Sequence, residues 1–242
     1  MTVAAADQPL YQIVIAAASS NATINDVLGT MQSIDDLLPG TDGLKWFNRL
    51  YMMVTQEVDQ RTSTEWQDPG WLTRLDVVFA GFYFRAITGF LDGSASTPIA
   101  WGALLEARYR TGIDRIQFAV AGMNAHINHD LALALLETDA ELSLVTGLNS
   151  PEHADYETVN SLLEAIMPSA LQMLAAGILG ELAEDTGKIG RILAFWNIVQ
   201  ARELAWTFAD HLRDLSGVPR QVALDSQDQI TGVLGRAILA IA

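Results

Sequence analysis

The segment AGMNAHINHDLALALLE, residues 121–137, places Asn124, His126, Asn128, His129, Asp130 and Glu137 in a run otherwise made of small and apolar residues. Imidazole titrates near neutral pH, and a carboxylate beside it decides which ring nitrogen holds the proton. His126 and His129 with Asp130 are therefore the residues here best suited to acid and base chemistry. On an α-helix, residues advance by about 100° each, which puts His126, His129, Asp130 and Glu137 in one sector of roughly 100° around Leu133. The same spacing turns Asn124 and Asn128 the opposite way, beside Gln117. Two stripes are expected, one for proton transfer and one that bonds neighbouring helices or holds a substrate carbonyl. The competing structural reading is that each polar side chain is a satisfied member of the core, since a buried polar group without a partner costs about 1 to 3 kcal/mol.

His-x-x-His also places two rings on one helical face, where Asp130, Glu137, His153 or Asp155 could complete a nitrogen and oxygen set for zinc, iron or manganese. The spacing is not the His-Glu-x-x-His of zinc proteases, and the paired Glu-x-x-His motifs of ferritin-like bundles are absent. His129-Asp130 resembles the dipeptide of helical phosphohydrolases, yet all four histidines lie at 126 or later, so the upstream histidine is missing. No cofactor is favoured, and a divalent metal on His126, His129 and Asp130 is the alternative.

Further candidates come from polar residues in apolar surroundings. Arg202 and Trp206 lie one turn apart in FWNIVQARELAWTF, where Asn197 and Gln200 add polarity. That arginine is expected either to clamp an acidic ligand or to pair with a buried carboxylate. Asp76 in RLDVVFAGFYF and Asn48 in KWFNRLY raise the same question. Tyr83, Trp101, Phe118, Trp196 and Trp206 are read first as core, although aromatic walls would suit a polycyclic or polyketide-like ligand. No phosphate-binding glycine loop, dinucleotide fingerprint or G-x-S-x-G elbow occurs, which leaves ATP use and hydride transfer without support.

The 242-residue chain has a net charge of −15, and 50% of its residues are apolar against 18% charged. Such an acidic surface opposes DNA, RNA and anionic lipid, which are bound by basic surfaces. From Ile116 to Gly187 there is no Lys or Arg, and the many carboxylates of that stretch read mostly as a solvated face. The absence of cysteine removes thiolate ligands and a cysteine nucleophile and fits a reducing compartment. The N-terminus lacks the pattern of a secretory signal, and the apolar runs are too short to span a bilayer. These features predict a soluble, cytoplasmic protein.

Helix signals recur along the chain, and strand alternation is scarce. Thr23 and Asp26 form a capping box ahead of Val27, Met31, Ile34 and Leu38, and Asp42 starts a helix carrying Leu44, Phe47, Leu50, Tyr51, Val54 and Val58. Asp68-Pro69, Thr97-Pro98 and Ser150-Pro151 each set a capping residue before a proline, opening segments near 69–91, 98–109 and 151–182. Asp114 starts the segment that carries the histidines and ends near Leu142. A helix follows Gly187 to about Leu215, and Val218-Pro219 precedes one or two more. The expectation is one all-α domain over residues 1–242, a bundle of about eight or nine helices, with the apolar histidine-bearing helix at its centre.

WFNRLY (46–51), RLDVVFAGFYF (74–84), QFAVAGMNAHINHDLALAL (117–135), DYETVNSLL (155–163) and ARELAW (201–206) together resemble a bacterial family classified only as a domain of unknown function, over about residues 44–210. The resemblance implies that Asn124, His126, Asn128, His129 and Asp130 act as a unit, with Asp76, Asn160 and Arg202 as neighbours from other helices. It also makes a role in specialised metabolism conceivable by analogy.

The leading expectation is a cofactor-independent enzyme acting on a small, largely apolar organic molecule by cyclisation, isomerisation or elimination. His126 and His129 serve as acid and base, Asp130 orients one of them, and Asn124, Asn128, Asp76, Tyr83, Asn160, Arg202 and Trp206 contact substrate. The alternatives are a metal-dependent hydrolase or oxygenase using the same cluster, and a non-catalytic binding or assembly protein whose apolar helices bury against a second copy in a homodimer.

Overall fold

The computed structural model of the chain describes residues 3–18, 22–61, 63–95, 97–175, 190 and 197–241, and among these no strand occurs. The protein is an all-α, single-domain helical bundle. The elements are α1 (Gln8–Ala16), α2 (Ile24–Leu37), α3 (Gly43–Gln60), α4 (Pro69–Asp92), α5 (Ile99–Ala107), α6 (Arg115–Ala125), α7 (Leu131–Leu142), α8 (Pro151–Ala175), α9 (Ile198–Arg213) and α10 (Gly217–Leu239). Trp196 and the starting point expected after Gly187 lie outside the described residues, as does the end expected near 182 for the segment opened by Pro151.

Most helix starts follow the local chemistry. The Thr23–Asp26 capping box is formed at α2. The Asp42 carboxylate accepts from Leu44 N–H at α3, and that of Asp68 from Trp71 N–H at α4. Asp114 and Gln117 make a second capping box at α6. The expected start at Thr97-Pro98 is different: Pro98 itself is the N-cap of α5, and no adjacent side chain caps it. Asp228, from α10, accepts instead from Ile99 N–H at 3.0 Å and Ala100 N–H at 2.8 Å. A helix's first amides need an acceptor wherever it comes from, and here tertiary packing supplies it. The last helix likewise begins at Gly217 and runs through Pro219, since proline is tolerated in a first turn whose N–H groups have no intrahelical acceptor. Helix α1 has Asp7 at its N-cap and Pro9 in its first turn, but the Asp7 side chain makes no capping bond, and the helix buries Leu10 and Val14.

Residues 117–137 lie at the centre, as their even apolar coverage requires. Two glycines let α6 approach α3 closely. A Cβ on Gly122 would fall 2.4 Å from the Phe47 ring, and one on Gly43 would fall 2.3 Å from the Phe118 ring. Each helix thus receives a phenylalanine of the other, and Phe118 is core, as expected. Helix α10 closes on α5 in the same way: a Cβ on Gly232 would sit 2.9 Å from Ile99 O, and one on Gly235 would sit 2.9 Å from Ala103 Cβ. A buried Arg108–Asp42 ion pair ties the end of α5 to the start of α3.

Candidate functional site

Between α6 and α7 the helix does not stay regular. Residues His126–Asp130 form a π turn, and Leu131 N–H donates to His126 O. Such a turn inserts one residue into the helical ladder and is common at functional sites. The Asn128 carbonyl in this turn accepts from the Gln227 side chain of α10 at 2.6 Å.

The two stripes expected from the sequence are separate in space. Asn128 donates to Asn124 Oδ1 at 2.9 Å, and Asn124 donates to Thr231 O of α10 at 2.9 Å. Gln117, one step further along that face, donates to Ile238 O and Ile241 O. This stripe forms a seam between the central helix and α10.

The other stripe converges on one carboxylate. Asp130 Oδ2 lies 2.9 Å from His126 Nδ1 and accepts from Trp101 Nε1 at 2.9 Å, while Oδ1 lies 2.7 Å from His129 Nδ1. Burial alone would push Asp130 up, but the hydrogen bonds from both histidines outweigh it and hold the carboxyl below its usual range. The anion needs protons on both Nδ1 atoms, so each ring presents Nε2 as its exchangeable nitrogen.

The two histidines then part ways. His126 is wholly inaccessible, lies flat on Phe79 with ring centroids 3.5 Å apart, and meets the edges of Phe47 and Tyr51. Burial lowers its pKa against the pull of Asp130, and its Nε2 is buried without a hydrogen-bond partner. His129 keeps 13% of its side chain exposed. Burial would lower it as well, but the bond and charge of Asp130 and the charge of Asp228 prevail, and its pKa is raised. Its Nε2 points toward Asp228 Oδ1, 3.7 Å away.

His129, Asp130 and Asp228 line a cavity of about 620 Å³. Phe82, Leu133 and Leu224 form apolar parts of its wall, and Arg85 and Asp225 reach it from α4 and α10. Leu133 faces it with the histidine, as the helical sorting expects. Glu137 does not: it turns outward to Arg85, 3.6 Å away.

The remaining candidates sit elsewhere. Tyr83 donates to Asn48 at 3.2 Å, and Asn48 donates to Met31 O at 2.8 Å, so both belong to the packed core. Arg202 donates to Asn160 Oδ1 at 2.8 Å and to Tyr156 O at 2.5 Å, binding α9 to α8. Trp206 packs against His153, Tyr156 and Trp71. Asp76 has a buried oxygen without a partner, and burial lifts its carboxyl to about 7 although the charge of Arg202 opposes this. None of Asp76, Tyr83, Asn160, Arg202 and Trp206 lines the histidine cavity. Asn197 caps α9 through Gln200 N–H.

For a metal, the donors do not converge. The two Nδ1 atoms are turned to opposite oxygens of Asp130, Asp155 accepts from Gln67 N–H and Asp68 N–H, and His153 Nε2 lies 3.9 Å from Glu157. Among the described residues no group of three or more His, Asp or Glu side chains is disposed to hold a metal ion.

Sequence reasoning missed Trp101 and Asp228. Trp101 is core, as its apolar setting predicts, but its N–H is spent on Asp130. Asp228 had no signal, because its role depends on where α10 docks.

A model of a family of unknown function, DUF5995, matches residues 24–241. The chain belongs to that family. The DUF5995 match takes in α10, so Gln227 and Asp228 lie within the family region although the motif-based resemblance stopped near 210. No curated protein and no solved structure matches the chain. Among the described residues no helix is long and apolar enough to cross a membrane.

Proposed function

We propose that the protein is an enzyme that moves protons on a small organic molecule, with His129 exchanging the proton and Asp130 as its positioning residue. The observation that carries this reading is the placement of His129: its Nδ1 is fixed on Asp130, and the ring lines a cavity within the volume range of small-molecule sites. Asp130 holds the ring in one tautomer, and His126 and Trp101 hold Asp130, so Nε2 is presented without rearrangement. In its protonated form Nε2–H is an acid. After giving up that proton it is a base, and the Asp130 carboxylate steadies the imidazolium that forms when it takes one. Isomerisation, elimination and cyclisation require no further protein group than such a donor and acceptor beside shaped apolar walls. His126, closed off by Phe79, supports the site and does not meet substrate.

The test is conversion of a bacterial metabolite extract followed by mass spectrometry. The wild-type protein is expected to deplete at least one small molecule and to form an isomer or elimination product. His129→Gln should abolish this while the helical circular dichroism and melting temperature stay near wild type. Retained conversion in His129→Gln, or none by the wild type, would overturn the reading.

A further inference from the structure

We infer that the ligand of the His129 cavity carries a protonated amine, held by Asp228 with its nitrogen beside His129 Nε2, and an apolar body. This rests on the reading of that cavity as the reacting site and adds its substrate class.

The charge of the cavity favours a cation. Asp130, Asp225 and Asp228 all line it. Against them stand His129 and Arg85, and Arg85 is engaged by Glu137 at 3.6 Å, with its guanidinium 4.2 Å over the Phe82 ring. Even with His129 counted as an imidazolium, the lining carboxylates outweigh it.

The helix N-terminus at this cavity, which would also draw an anion, is already filled. The N-terminal amides of α5 point at the Asp228 carboxylate, which accepts from Ile99 N–H and Ala100 N–H. An external carboxylate or phosphate would have to displace a residue of the chain itself and would then face Asp225 and Asp130. Asp228 in turn keeps acceptor capacity, since an ionised carboxylate offers about four lone-pair sites and two amides use half of them. Its Oδ1 lies 3.7 Å from His129 Nε2, so a nitrogen donating to Asp228 sits next to the exchanging atom of the histidine. Phe82, Leu133 and Leu224 then take the body of the ligand.

Calorimetric titration with benzylamine, benzyl alcohol and benzoate tests this on the full chain. Benzylamine is expected to bind most tightly and benzoate least. Asp228→Asn should weaken benzylamine by about tenfold or more while leaving benzyl alcohol within about twofold, which separates loss of charge from loss of shape. Asp225→Asn, at an exposed position, gives the same contrast more weakly if Asp228→Asn disturbs the start of α5. Benzoate binding as well as benzylamine, or unchanged benzylamine affinity in both variants, overturns the inference. The two readings fail separately. His129→Gln is expected to keep benzylamine binding and lose turnover, so loss of turnover in that variant with no preference for the amine would leave proton transfer standing and remove the amine.

Discussion

Asp130 is the residue on which the site turns, because three N–H groups, two from its own π turn and one from α5, end on its two oxygens. Asp130→Asn removes the charge that both imidazoles lean on and should cost on the order of 3 kcal/mol in denaturant unfolding, the range for breaking a buried charged network. In the same variant the His129 ring should titrate lower, measured on its carbon-bound protons by NMR. The two histidines affect stability with opposite sign. His129, raised in the fold, contributes stability at acidic pH that is lost as pH rises through its folded value. His126, lowered in the fold, withdraws stability as pH falls below the ordinary histidine range. Asp76 gives a third slope. Its carboxyl, lifted from 3.8 to about 7, holds a proton that the unfolded chain has released, so stability falls as pH rises through that window. Asp76→Asn should flatten this slope and stabilise the protein at pH 8 by on the order of 2 to 4 kcal/mol, read from urea unfolding at pH 5 and pH 8.

At the scale of elements, the site is made by two close helix contacts. Phe47 fills the place of a side chain on Gly122, about one turn before the π turn, and its ring also meets His126 of that turn, with centroids 5.7 Å apart. Gly122→Ala would drive a methyl group into a buried ring and should destabilise by about 1 to 3 kcal/mol, seen as a lower melting temperature. Gly232→Ala acts on the other side, where the added carbon meets the backbone of Ile99. It should push α10 from α5 and with it Asp228 from His129, so the affinity for benzylamine should fall more than global stability does. The helix starts were legible because a capping side chain and its amide lie within three residues of each other. The π turn was not, because HINHD contains nothing that forbids a regular helix; its released carbonyl is matched by Gln227, about a hundred residues later.

At the scale of the molecule, the net charge of −15 is a standing repulsion that packing must overcome. Raising sodium chloride from low to moderate concentration should raise the melting temperature, because screening weakens like-charge repulsion at the surface more than it weakens buried pairs such as Arg108–Asp42. A fall in melting temperature with added salt would show that surface ion pairs outweigh the repulsion.

The sequence by itself determined that the fold is all-α, that residues 117–137 lie inside, and that the histidine and asparagine stripes face different ways. Each of these follows from periodicity and capping, which act over a few residues. Tertiary structure alone decided which histidine meets a cavity. His126 and His129 share one face and one aspartate, yet Phe79 of α4 covers the first while Asp228 of α10 stands across from the second. That difference comes from what other helices bring to each ring, and local spacing carries no record of it.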